Sequence, residues 1–152
     1  MGAYNPRVSR FYSLDEANAL LPEVIEVAHR LREQRTGLVA LSDAWRVQAG
    51  EEAGLMPGAS PADEDPELRL LRLRMRGIMD QMQADMAWMD ERSIVLRDIE
   101  TGLLDFPASA AGRAVWLCWR FGESSVGWWH GMEEGFTGRR SVDALPGASA
   151  SA

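Results

Sequence analysis

Apolar residues recur along the first third of the chain at alternating intervals of four and three positions. They are Leu20, Val24, Val27, Leu31, Leu38, Leu41 and Trp45, with Gln34 the one polar residue in the stripe. That spacing holds the side chains on one side of an α-helix and resembles a coiled-coil seam. Ser13-Leu14-Asp15-Glu16 supplies a capping box just before it, which starts the helix. Pro22 falls inside the pattern and predicts either a kink or the first residue of a second segment. Gly37 weakens the helix by roughly 1 kcal/mol relative to alanine. A second stripe runs through Leu68, Leu71, Met75, Ile78, Met82, Asp85/Met86 and Met89. Asp65-Pro66-Glu67 opens it with a capping carboxylate, a proline at the first helical position and an acid in the first turn. The spacing predicts helices over about 13–49 and 66–92, joined by a flexible loop at 50–65. Such a pair forms a long antiparallel, coiled-coil-like hairpin.

After Ser93 the pattern changes. Turn-forming residues punctuate Gly102–Gly112. Val115–Phe121 and Val126–His130 then read as two strands joined by a tight turn at 122–125. The expected fold class is therefore α+β, with a small C-terminal antiparallel β module over about 94–140. Residues 1–140 form a single domain in this reading, and 141–152, rich in Ser, Ala and Gly, a disordered tail. A hairpin this long buries little surface by itself. It needs the rest of the chain or a second copy against it, so a homodimer is expected.

Composition narrows the chemistry. The 152 residues are 46% hydrophobic and 26% charged, which is globular composition. No run suits a membrane span and no signal-peptide core precedes residue 10, so the expected location is cytoplasmic. The net charge of −7 opposes nucleic-acid binding. A local exception is the arginine face of Arg69, Arg72 and Arg76, read as a solvated, ion-paired surface. All 16 basic residues other than histidine are arginine, which excludes a Schiff-base lysine and a phosphate loop ending in lysine. A single cysteine, Cys118, excludes an internal disulfide and a thiolate-rich zinc site.

Several segments together look familiar. Ser13-Leu14-Asp15-Glu16-Ala17-Asn18-Ala19-Leu20-Leu21-Pro22, Gly102-Leu103-Leu104-Asp105-Phe106-Pro107-Ala108, Leu117-Cys118-Trp119-Arg120 with Gly122-Glu123, Trp129-His130, and Gly135-Phe136 with Gly138-Arg139 resemble a bacterial family catalogued as domain of unknown function 2203. The resemblance implies a fold and brings no activity with it.

Two functional readings follow from the residues. Trp116, Trp119, Trp128 and Trp129 are four of the six tryptophans, with Arg113, Arg120, Arg139 and Arg140 nearby. An arginine-rimmed aromatic surface suits a protein partner or an anionic ligand. The leading expectation is accordingly a non-catalytic interaction or scaffold protein acting through helical packing and a Trp-rich surface. The alternative is a metal- or small-ligand-binding enzyme. His130 with Glu133 and Glu134, completed by Asp105 or Glu123, offers imidazole and carboxylates to a divalent metal. His130 and Glu134 share a face there if the segment is helical. Glu26 and His29 copy a di-iron spacing, but His29 points away from the helical seam. Cys118 and His130 form no nucleophile–base pair in this reading. A four-residue turn sets Cys118 opposite Trp129, which turns Cys118 and His130 to opposite sides of the sheet; a three- or five-residue turn would reverse this. Met75, Met79, Met82, Met86 and Met89 read as core filler.

Overall fold

In a computed structural model of the chain, residues 8–50 and 65–145 are described. Helix α1 spans Leu14–Ala49 and helix α2 spans Pro66–Glu91. Five strands follow: β1 (Val95–Asp98), β2 (Leu103–Ala110), β3 (Arg113–Trp119), β4 (Trp128–Gly131) and β5 (Arg140–Ser141). They form one antiparallel sheet in sequence order. The architecture is α+β, two helices followed by an antiparallel sheet. The expected 50–65 loop lies outside the described residues at 51–64, as does the tail from 146. Ser141 belongs to β5 and Val142–Ala144 form a 3-10 turn.

Both helix starts follow from their caps. The Glu16 amide donates to Ser13 Oγ at 3.0 Å, and the Ser13 amide donates to Glu16 Oε1 at 3.1 Å. The Glu67 amide donates to Asp65 Oδ1 at 2.9 Å. Pro22 stays inside a continuous helix, on an exposed position. Helix α2 ends where Ser93 takes a positive φ of 59° and the Ile94 amide turns back to the Met89 carbonyl.

The chain divides into two compact units, one of Met1–His29 with Met86–Ala152 and one of Arg30–Asp85. In the second, the two helices run antiparallel. Asp85 receives both Arg30 Nη2 at 2.7 Å and Arg30 Nε at 3.1 Å, and Gln34 Nε2 at 3.1 Å. Gly37 faces Ile78, and Gln48 reaches Glu67 at 2.8 Å. The polar residue of the first stripe is therefore paired to the polar residue of the second, a register device. The Arg30 guanidinium holds the Asp85 carboxyl below its usual range against the opposing effect of burial, and Gln34 adds to this. Beyond this clamp the apolar contact is thin. Trp45 and Met75 are buried, whereas Leu38, Leu41, Leu71, Ile78 and Met82 are half-exposed.

In the first unit the core is one face of the sheet. Leu104, Phe106, Leu117 and Trp119 alternate onto that face and are buried with Leu21, Val24 and Met89. Tyr12 meets Phe106 edge-on, and the Val126 amide donates to Asn18 of α1. The Tyr12 amide donates to the Pro107 carbonyl at 2.7 Å, and its hydroxyl donates to the Arg92 carbonyl at 2.7 Å. Pro107 pairs with Trp116 in the middle of β2. Its carbonyl faces Tyr12, so the N–H that proline lacks would have faced the same edge, where no ladder donor is needed.

Gly102 joins β1 to β2 at φ +66°, and a Cβ there would stand 2.5 Å from the ring of Phe121. Gly102→Ala is expected to cost ~2–4 kcal/mol through left-handed strain and overpacking. Urea unfolding checks this: the midpoint falls while the slope with denaturant stays the same.

Candidate functional site

The register of β3 on β4 decides which side chains meet. Cys118 pairs with Trp128, Leu117 with Trp129, and Trp116 with His130. The tight turn expected at 122–125 is absent. Strand β3 stops at Trp119, and residues 120–127 form a longer connection. The cause is local. The Phe121 amide donates to the Thr101 carbonyl, the Arg120 amide to the Glu123 carboxylate, and the Trp119 indole to the Glu123 carbonyl. The Arg120 amide, which would face β4 in a longer strand, is thereby taken by Glu123. The resulting one-residue slip reverses the expected arrangement. Cys118 and His130 share a face, and Asp105 of β2, directly opposite Cys118, joins them.

Asp105, Cys118 and His130 thus come from three adjacent strands, β2, β3 and β4. Strands lie ~4.8 Å apart, so the two outer side chains meet over the short central cysteine. His130 Nε2 stands 3.0 Å from Asp105 Oδ1. One donor atom from each of the three residues lies within 4.8 Å of the others. All three residues are at most 3% exposed.

The two outer side chains are held from behind. His130 Nδ1 lies 3.0 Å from the Gly131 carbonyl, which can only accept, so Nδ1 carries a proton. Arg97 Nε donates to Asp105 Oδ2 at 2.9 Å and leaves Oδ1 for His130. Arg97 also lies over the Trp116 ring, 5.0 Å from its centroid. An imidazolium donates from both nitrogens, to the Gly131 carbonyl and to the Asp105 carboxylate, so this geometry favours the charged form. Burial alone would lower its pKa. The hydrogen bond and charge of Asp105, with the backbone of Gly131 and Glu134, outweigh that and raise it. Burial and the Asp105 charge push the Cys118 thiol up to about 12. A protonated thiol beside an imidazolium with no free lone pair is not a nucleophile–base couple.

The cluster is the floor of a pocket of about 400 Å³. Its wall is the segment after β4, Met132–Phe136, with Arg97 and Leu103 opposite. This segment is a turn and not a helix, so His130 and Glu134 do not share a helical face. Glu134 pairs with Arg140 at 3.1 Å and rests against Gly131 and Gly138. Glu133 is exposed on the pocket wall. Glu123 is engaged elsewhere, by Arg139 at 2.7 Å.

The aromatic residues are distributed over both sides of the sheet. Trp116 and Trp119 are buried, Trp129 is half-buried and Trp128 is exposed. Several arginines that would rim a Trp surface lie over the rings themselves. Arg139 covers Trp128 and Phe136, Arg140 covers Trp129 and Arg120 covers Phe136. Arg113 is exposed at the start of β3. His29 is exposed and stacks on Phe121 at 4.3 Å. Sequence reasoning turned Cys118 away from His130 and did not consider Arg97. The bulge between Leu96 and Asp98 hides Arg97's strand from a period-two search.

These features define an α+β protein that carries a buried carboxylate–thiol–imidazole cluster beneath a pocket on its sheet. The chain belongs to the family described as uncharacterized conserved protein DUF2203, whose pattern matches residues 10–142. No curated protein and no solved structure matches it.

The raised pKa of His130 sets a pH dependence for the metal-free protein. The Asp105 pairing stabilises the fold fully below the unfolded histidine value of ~6.5 and is lost as pH rises through the folded value. Denaturant titrations in chelator should show stability declining over that window, and His130→Gln should flatten the decline.

Proposed function

We propose that this protein binds a divalent transition-metal ion, zinc foremost, through Asp105 Oδ1, Cys118 Sγ and His130 Nε2. The observation that carries the reading is the convergence of one ligand atom from each of these three residues within 4.8 Å, with His130 Nε2 3.0 Å from Asp105 Oδ1 and the remaining polar atoms of His130 and Asp105 anchored by Gly131 and Arg97. Metal-bound histidine characteristically gives its other N–H to a carbonyl or carboxylate, and ligating carboxylates are themselves hydrogen-bonded. Zinc bonds of ~2.0–2.3 Å separate tetrahedral ligands by roughly 3.3–3.8 Å, a spacing within reach of the three atoms. The set mixes thiolate, imidazole and carboxylate, which suits zinc and disfavours magnesium and calcium. In the metal-free protein the Nε2 proton and the thiol proton take the ion's place, and the ion displaces both.

Elemental mass spectrometry of untagged protein checks this. The expected result is near-stoichiometric metal that falls away in Cys118→Ser and His130→Ala. Protein without metal after zinc loading and desalting, though folded, overturns the reading.

We propose further that the Arg30–Asp85 hairpin pairs with a second copy. Val39, Val47, Leu70 and Leu73 are 47–86% exposed along it, and the half-exposed stripes leave the pair of helices short of a core. Gly77 has open space above it, which allows another helix to approach closely. Light scattering is expected to give twice the chain mass, and Leu70→Glu with Leu73→Glu to give the monomer. A monomer in the unmutated protein refutes the pairing.

A further inference from the structure

We infer that the metal centre is an open one, with a coordination position facing the pocket that takes a small oxyanion, such as a carboxylate, steered by Arg97. This rests on the metal reading above. The donor residues and the pocket are continuous, since Asp105, Cys118 and His130 form its floor. Among the described residues no further histidine, cysteine, aspartate or glutamate joins the three in a ligand cluster. Three protein ligands plus an exchangeable position is the arrangement of catalytic zinc sites; closed structural sites have four.

The ligand class follows from charge. A divalent ion with the Cys118 thiolate and the Asp105 carboxylate is neutral overall. Arg97 then adds a positive charge. Its Nε is committed to Asp105, and among the described residues its Nη groups have no hydrogen-bond partner. Arg97 lines the pocket with a side chain 33% exposed. A carboxylate placing one oxygen on the ion and the other on a guanidinium N–H satisfies both. Of the acids nearby, Glu134 is paired with Arg140, and Glu133 stands exposed on the wall. At about 400 Å³ the pocket admits a small metabolite and excludes a folded peptide.

The test is cobalt substitution of the full chain, with azide and acetate as probes. Cobalt gives a thiolate charge-transfer band when Cys118 ligates and ligand-field bands that report its coordination. The expected result is the charge-transfer band, with ligand-field bands that shift saturably with either anion. In Arg97→Gln the acetate affinity should fall about tenfold or more, as for loss of a charge-assisted hydrogen bond. Arg97→Lys should recover part of it while the charge-transfer band persists. A charge-transfer band with no response to azide or acetate means a closed site, which overturns this inference and leaves the metal reading intact. Acetate binding unchanged in a folded, cobalt-loaded Arg97→Gln overturns the role of Arg97. No charge-transfer band at all overturns the metal reading and this inference with it.

Discussion

Side chains on neighbouring strands share a face only when their pairing is in step, and the step between β3 and β4 sets what this sheet brings together. With Cys118 opposite Trp128, the odd-numbered core residues Leu117 and Trp119 turn inward while Cys118 and His130 turn to the other side with Asp105. One residue of slip in β4 would turn His130 toward the apolar core face and Trp129 away from it. The register is therefore fixed twice over, once by the apolar face and once by the polar cluster.

The polar cluster carries its own constraint. A buried carboxylate, an imidazolium and a guanidinium are tolerable only while each charge is met. Arg97 and His130 reach Asp105 from opposite flanks, β1 and β4, and span most of the sheet's width. The same groups that make the site chemically capable thus tie together strands that are distant neighbours. The thiol sits at the centre of this arrangement and must stay small: a larger side chain at 118 would hold Asp105 and His130 apart.

Legibility in the sequence follows the range of the interactions involved. The helices were readable because their determinants are local: Ser13 and Asp65 cap within three residues, and the seams repeat within one turn. The Gln34–Asp85 pair was half readable, since each stood out as the polar position of its stripe but their contact was not visible. Strand β2 was hidden by Pro107, whose tolerance depends on Tyr12, remote in sequence. The β3–β4 register was unreadable because it turns on where β3 stops. That depends on Glu123 capturing the Arg120 amide, which a longer strand would use. Asp105 and His130 were both visible as candidates, and geometry alone revealed their joining with Cys118 and Arg97.

The bridge of Tyr12 to Ala108 and the bonds of Ser9 to Ser93 close the chain on itself over most of its length. During synthesis the first turns of α1 leave the ribosome with their apolar face uncovered. Nothing can cover it until β2 and β3 have been made. Closing so long a loop adds an entropic cost that local helix formation does not bear. Within this unit the first turns of α1 therefore wait for packing partners that lie far along the chain, whereas β2 and β3 find each other at once.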